Sequence, residues 1–318
     1  MLKQIQHDIF WRVILVNLEV TIGHLRLKNP VMTASGTFGY GEEYCEFIDL
    51  NKLGAIVVKG ISLESMEGNP PPRICETPCG MLNAIGLQNV GLRRFVDEKL
   101  PYLKKFKTKV IVNILGNTIQ EYLKLAQALE DKGVDGIELN VSCPNVEGGG
   151  MIFGTDKKIL GRLISKVRKV IKKTLLITKL SPNIPNIQEF ARIAEDSGTD
   201  AISLINTIPA MSIDIETWRP KLAHITGGLS GPAIKPIALK MVWEASKAVK
   251  IPVIGIGGIM NSDDAIEFIL AGATAVQVGT ANFLNPKSTV EIIDGIEKYL
   301  KKKGVNNIDN IIGALRYV

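Results

Sequence analysis

Residues 252–280, PVIGIGGIMNSDDAIEFILAGATAVQVGT, set two short apolar runs on either side of one amphipathic segment. Pro252–Gly257 and Ala273–Gly279 are almost continuously apolar, as strands buried on both faces of a parallel sheet must be. Between them, Asp263–Ala271 spaces its apolar residues at the helical period. Each run ends in glycine, at Gly257-Gly258 and at Gly279-Thr280, where a strand passes into a loop.

The same unit recurs toward the N-terminus. Apolar runs at Val31–Ser35, Ala55–Lys59, Val110–Leu115, Gly136–Val141, Leu175–Leu180 and Ala201–Asn206 bring the total to eight. Helical patterns at Gln120–Lys132, Lys157–Lys173, Ile187–Ser197 and Pro236–Val249 lie between them. Strand followed by helix, about eight times, predicts an α/β fold closed as a (β/α)8 TIM barrel. The competing fold is an open doubly wound sheet. Against it, the first βα turn, ASGTFGYG (34–41), is not a G-x-G-x-x-G, and no acidic ribose-binding residue is evident.

Leu18–Lys28 alternates apolar and polar residues around Gly23 and predicts an N-terminal β-hairpin. Met1–Asn17 reads as a leader of uncertain role; its apolar stretch Ile9–Val16 is short and contains Arg12, so it predicts neither a membrane span nor a signal peptide. Residues 18–318 are expected to form one barrel domain. Two insertions, Ser62–Asn89 and Thr207–Pro232, follow strand C-termini and are expected to wall the pocket.

At 46% hydrophobic and 22% charged, the 318 residues suit an ordinary globular domain. The net charge of +6 is scattered, apart from Lys301–Lys303 and a Lys-rich helix at 166–173, which predicts a solvated surface rather than a nucleic-acid face. Four cysteines (Cys45, Cys75, Cys79, Cys143) in a chain this long do not read as a disulfide framework. Cys75 and Cys79 have no second pair to complete a metal site, and His7, His24 and His224 are far apart. A thiol-reduced cytoplasmic protein without a metal is expected.

Three groups of residues carry chemistry. Loops after the seventh and eighth barrel strands commonly hold a phosphate on backbone N–H groups and a helix N-terminus. Gly255–Gly258 and Gly279-Thr280 occupy those positions, and Gly231 offers a third amide; the plain alternative is that these glycines only permit tight turns. Next, NVSCPN (140–145) ends the fourth strand, with Cys143 leaving the barrel top and Glu147-Gly148-Gly149-Gly150 following as a run suited to a closing loop. The flanking polar residues favour a reactive thiol over a buried one. Finally, Lys59 and Lys179 end apolar strands, which is costly unless each ammonium meets an anion or polarised carbonyl; a salt bridge at the barrel rim is the alternative. Asn113, Asn140 and Asn206 add neutral amides at strand ends. Taken alone, these residues describe a phosphate-cofactor barrel enzyme with a thiol and two lysines.

The motifs extend further. KNPVMTASGTFGYG (28–41), GNPPPRICET (68–77), MLNAIGLQNVG (81–91), ELNVSCPNV (138–146), TKLSPN (178–183), INT (205–207), ITGGLSGPAIKPIAL (225–239), GIGGI (255–259) and VGTANF (278–283) closely resemble the dihydroorotate dehydrogenases, specifically class 1B catalytic subunits, from about Leu18 to Ile296. The resemblance implies FMN held by Ser35, Lys59, Gly60, Asn113, Asn140, Lys179, Ile205, Gly231, Gly257, Gly258, Gly279 and Thr280. It implies dihydroorotate held by Lys59, Asn83, Ala84, Ile85, Gly86, Leu87, Asn140, Asn206 and Thr207, with Cys143 as catalytic base. Membrane-associated class 2 enzymes have Ser at that place and an N-terminal membrane element. The resemblance further implies a homodimer of barrels in a heterotetramer with an electron-transfer subunit that carries FAD and a 2Fe-2S cluster and reduces NAD⁺. Departures are the N-terminal leader and Cys79, where a smaller or hydroxyl residue is expected. The rival readings are a class 1A-like enzyme using fumarate, a tRNA dihydrouridine synthase, and a non-catalytic FMN-binding barrel.

Overall fold

The computed structural model describes residues 15–141 and 150–317, with backbone alone at 150–152. Eight parallel strands close into a barrel: β1 (Val31–Thr33), β2 (Ala55–Ile61), β3 (Lys109–Ile114), β4 (Gly136–Asn140), β5 (Leu175–Lys179), β6 (Ala201–Leu204), β7 (Val253–Ile256) and β8 (Ala275–Val278). Each strand pairs with the next in chain order, and β8 returns to β1 through Val276↔Val31, Gln277↔Met32 and Val278↔Thr33. The closed barrel expected from the repeated strand–helix unit is the one that forms. A similar barrel of strands buried on both faces explains why β4, β5, β6, β7 and β8 contain no exposed residue.

The outer helices begin where their caps dictate. Asp156 accepts from the Ile159 amide at 2.8 Å to open Lys157–Val170, which buries Leu160, Leu163, Ile164 and Val167 at helical spacing. Asn261 and Asp264 form a reciprocal capping box at the start of Ser262–Leu270. The helix expected to run to Lys173 ends at Val170 instead. The Glu130 carboxylate accepts from the backbone N–H groups of Lys172, Lys173 and Thr174, drawing them out of the helix. A helix after β2 escaped the sequence pattern: Gly91–Arg94, a π-helical turn at Phe95–Lys99 and Leu100–Leu103 run on from one another. The π turn interrupts the 3.6-residue periodicity that would have revealed it.

The N-terminal hairpin is present as Val20–Ile22 paired with Leu25–Leu27. Asn17 donates to the Asn306 carbonyl and accepts from the Ile308 amide, which ties the start of the described chain to its end. The two insertions do more than flank the mouth. Ile74–Thr77, Gly80–Asn83, Thr226–Ser230 and Ile208–Met211 make one antiparallel sheet across both of them. Among the described residues, no helix is long and apolar enough to cross a membrane.

Candidate active site

The glycine turns expected to hold a phosphate are brought together. Gly258 has φ +73°, a backbone that L side chains rarely adopt, and a Cβ there would stand 2.9 Å from the Gly231 carbonyl and 2.6 Å from Lys235 Cβ. Gly231 (φ +91°) opens the turn Pro232–Ile234 ahead of helix Lys235–Ala248, and a Cβ on it would meet Thr280 Cγ2 at 3.5 Å. Thr280 Oγ donates to Ser230 Oγ at 2.9 Å. Gly257 lies under Ile205, and Gly279 under Ala34 beside half-buried Ser35. The Lys235 ammonium is held by Asp264 at 2.5 Å and Glu267 at 2.8 Å, so the positive character of this cradle comes from backbone N–H groups.

Lys59 and Lys179 stand on β2 and β5. Neither ammonium has an ion pair or hydrogen bond among the described residues, so the salt-bridge alternative finds no partner there. Burial pushes the Lys59 ammonium pKa down, the Arg73 guanidinium pushes it further, and Glu43 partly opposes both. Lys179 is 5% exposed and pairs in register with Asn140 of β4, whose carbonyl accepts from the Tyr122 hydroxyl at 2.8 Å. Gly60, next to Lys59, is required by space: a Cβ there would stand 2.9 Å from Asn113 Oδ1. That oxygen is buried and has no hydrogen-bond partner among the described residues.

The residues expected to hold the substrate arrive from both insertions. Asn83 Nδ2 donates to the Gly228 carbonyl at 3.4 Å, and the Ala84 amide donates to the Arg73 carbonyl at 2.8 Å. The Ile85 carbonyl accepts from the Asn69 amide at 3.0 Å, and Gly86 packs against the same asparagine. Leu87 takes a positive φ of 58°, its carbonyl accepting from Asn89 Nδ2. On the other arm, Asn206 Oδ1 accepts from the Thr207 amide at 2.8 Å, and the Ile205 amide donates to the Ile256 carbonyl at 2.9 Å. Cys143 and the run 147–149 lie outside the described residues.

A family profile described as dihydroorotate dehydrogenase matches residues 17–300. The chain belongs to the dihydroorotate dehydrogenase family. It is 56% identical over 301 residues to the dihydroorotate dehydrogenase B (NAD(+)) catalytic subunit of Thermoanaerobacter pseudethanolicus, covering 95% of this chain and 99% of that one. The subunit of the same description from Bacteroides thetaiotaomicron is 54% identical over 302 residues, again 95% of this chain and 99% of the relative. The crystal structure of DHODH from Eimeria tenella in complex with ferulenol superposes with a TM-score of 0.77 at 24% identity, over 94% of this chain and 88% of that one; this likeness speaks for the fold.

Sequence reading passed over several residues at this mouth. Arg73 lies near enough to Lys59 to shift it, and is itself fixed by Gln88 at 2.7 Å. Ser230 accepts from the Thr280 hydroxyl. Below them, Glu138 is fully buried inside the barrel with Asn113, Ser203 and Gln277 on its carboxylate. A signal for Glu138 existed: a charged residue in the middle of the apolar run Gly136–Val141.

Proposed function

We propose that this chain oxidises dihydroorotate to orotate in de novo pyrimidine synthesis, with FMN held in the barrel mouth and Cys143 as the base. The observation that carries the reading is the meeting of Gly231, Gly258 and Thr280 in one cradle, in a barrel whose strand-end lysines Lys59 and Lys179 have no ion-pair partner among the described residues. The chain's place among catalytic subunits of the NAD(+) type supports it.

The residues present fit FMN. The cradle, which a Cβ at Gly258 would fill, suits the phosphate, and Asn113 Oδ1, without a partner among the described residues, suits an N–H of the ring. Ser35, Lys59, Gly60, Asn113, Asn140, Lys179, Ile205, Gly231, Gly257, Gly258, Gly279 and Thr280 would hold it. When bound, FMN supplies the two-electron acceptor for the C6 hydrogen of dihydroorotate.

The rest of the chemistry belongs to the chain. The C5 hydrogen is α to a carbonyl, so its removal leaves enolate charge on the substrate, which Lys59 and the Asn140 and Asn206 amides are suited to stabilise. The Cys143 thiolate takes the C5 proton. The loop Asn83–Leu87 and Thr207 close on the ring and exclude water. An N–H and C=O pattern presented by fixed amides and backbone suits the ring's imide.

The class description of the relatives, a catalytic subunit linked to NAD(+), supports a second, electron-transfer subunit. In this reading that partner carries FAD and a 2Fe-2S cluster and joins a homodimer of barrels in a heterotetramer. The free thiols of Cys45, Cys75 and Cys79 suit a reducing cytoplasm.

Anaerobic addition of dihydroorotate to the FMN-loaded chain should bleach the oxidised flavin absorbance. Cys143→Ala should keep FMN bound and lose almost all of this reduction, while Cys143→Ser retains a little. Near-normal bleaching in Cys143→Ala removes the base assignment. Rapid fumarate turnover by the isolated chain would point to class 1A behaviour instead.

A further inference from the structure

Glu138 is fully buried on β4, inside the barrel. Its Oε1 accepts from Asn113 Nδ2 at 2.7 Å, and its Oε2 accepts from Ser203 Oγ at 2.8 Å and from Gln277 Nε2 at 2.7 Å. Among the described residues no cation lies within ion-pairing distance of it. A buried carboxylate met only by neutral donors is expensive to keep, so a use for it is worth seeking.

Its effect on the two amides is directional. A carboxylate accepts hydrogen bonds and donates none, so the nitrogen of each amide must face it. The reverse orientation would set a carbonyl oxygen against a carboxylate oxygen. The carbonyl oxygens are thereby turned away, and both Asn113 Oδ1 and Gln277 Oε1 are buried without a partner among the described residues. Asn113 Oδ1 lies under Gly60, beside Lys59, at a distance that no Cβ on residue 60 would tolerate. Asparagine left to itself could present either end to a ligand; here it can present only an acceptor.

We propose that Glu138 is a positioning residue that fixes Asn113 as a hydrogen-bond acceptor for the flavin ring. The oxidised isoalloxazine has a single ring N–H, at N3, which makes N3–H the group that Asn113 Oδ1 reads. Buried acceptors left unmatched are costly, so the ligand's N–H contributes to affinity and the carboxylate below gives that contribution its sign. The proposal rests on FMN being the cofactor, as set out above.

The test uses the full chain stripped of flavin and measures dissociation constants for FMN and N3-methyl-FMN by flavin fluorescence. Wild type is expected to prefer FMN by about tenfold or more, the scale of one buried hydrogen bond. In Glu138→Gln the side-chain amide brings its own donor to the network, so the Asn113 amide is free to turn over. FMN should then weaken about tenfold while N3-methyl-FMN changes little, and the preference should collapse. A purely structural role would weaken both flavins alike, and that result overturns the proposal. Equal affinity of wild type for the two flavins overturns it as well, whether or not Glu138→Gln folds. Should that variant fail to fold, the FMN-bound crystal structure of wild type decides: Asn113 Oδ1 within hydrogen-bond distance of N3 upholds the proposal, and a longer separation overturns it. Failure of wild type to bind either flavin is a different outcome, which removes the cofactor reading and this proposal with it.

Discussion

Asn83 and Gly228 are 145 positions apart, yet they are paired across one antiparallel ladder, with the Asn83 amide donating to the Gly228 carbonyl at 3.4 Å. The pairing makes a single body of two arms that leave the barrel after β2 and after β6. One arm brings 83–87 to the mouth and the other brings Thr207, so a change in either is felt by both.

Within the second arm, Gly228 is packed tightly against Thr207. A Cβ there would stand 2.1 Å from Thr207 Oγ, so Gly228→Ala must push the Thr207 arm away. The expected outcome is a rise of about tenfold in KM for dihydroorotate and a loss of about 1–3 kcal/mol of stability, the range for an overpacked site. FMN affinity should be nearly unchanged. Steady-state kinetics beside a flavin titration will separate the two effects, and a variant with normal KM would contradict a role for Thr207 in holding the substrate.

Gly258 tests the phosphate cradle. With φ at +73° and the Gly231 carbonyl 2.9 Å from any Cβ, Gly258→Ala strains the backbone and displaces the turn. The purified variant should hold far less FMN than wild type, with affinity reduced by about tenfold or more. Flavin content of the purified protein is a sufficient measurement. Full occupancy would show that the cradle does not bind the cofactor.

The burial of Lys59 and its neighbour Arg73 together imply a pH dependence of orotate binding. Burial and then Arg73 lower its pKa, so its charge is lost at a pH below the ordinary lysine range. Orotate, an anion, should therefore bind progressively more weakly as pH rises, beginning earlier than an unperturbed lysine would allow. Arg73→Gln removes one of the two lowering influences and should move this loss to higher pH. Binding measured by flavin spectral change from neutral pH upward checks both statements; identical midpoints for wild type and variant would refute the Arg73 contribution.

Glu130 gives a stability prediction at a site far from the chemistry. Burial raises its pKa, but hydrogen bonds from the Thr174 hydroxyl and the backbone N–H groups of Lys172, Lys173 and Thr174 outweigh it and bring the value to about 2. A folded pKa below the ordinary value of 4.5 means that the stabilisation is present in full above that value and disappears as pH falls toward 2. Glu130→Gln should cost about 1 kcal/mol at neutral pH, the linkage being discounted for solvent screening, and progressively less in acid. Denaturant unfolding at pH 7 and near pH 3 makes the comparison.

Much of this protein can be read in local chemistry. The runs at 252–257 and 273–279, with the helix between them, are apolar in the pattern of parallel strands, and the recurrence of that unit about eight times along the chain predicts the closed barrel. The helix expected from Lys157 starts there, behind its Asp156 cap, and the one expected from Asp263 starts one residue earlier, at Ser262, behind Asn261. The helix end at Val170 was illegible because the group that ends it, Glu130, stands 42 residues away from Lys172. The turn at Phe95–Lys99 was illegible because a π turn breaks the period on which the reading depends.

The strand–helix repeat of the barrel, the glycine turns and the two strand-end lysines are legible in the sequence, since each depends on neighbours within a few residues. Tertiary structure decided which of these meet. It set Gly258 against Gly231, Arg73 near Lys59, and Asn83 beside Gly228, contacts that depend on the closure of strands far apart in the chain. It alone gave Asn113 an orientation: the side chain is symmetric in shape, and only the buried carboxylate of Glu138, on the next strand of the barrel, makes one end a donor inward and leaves the other an acceptor.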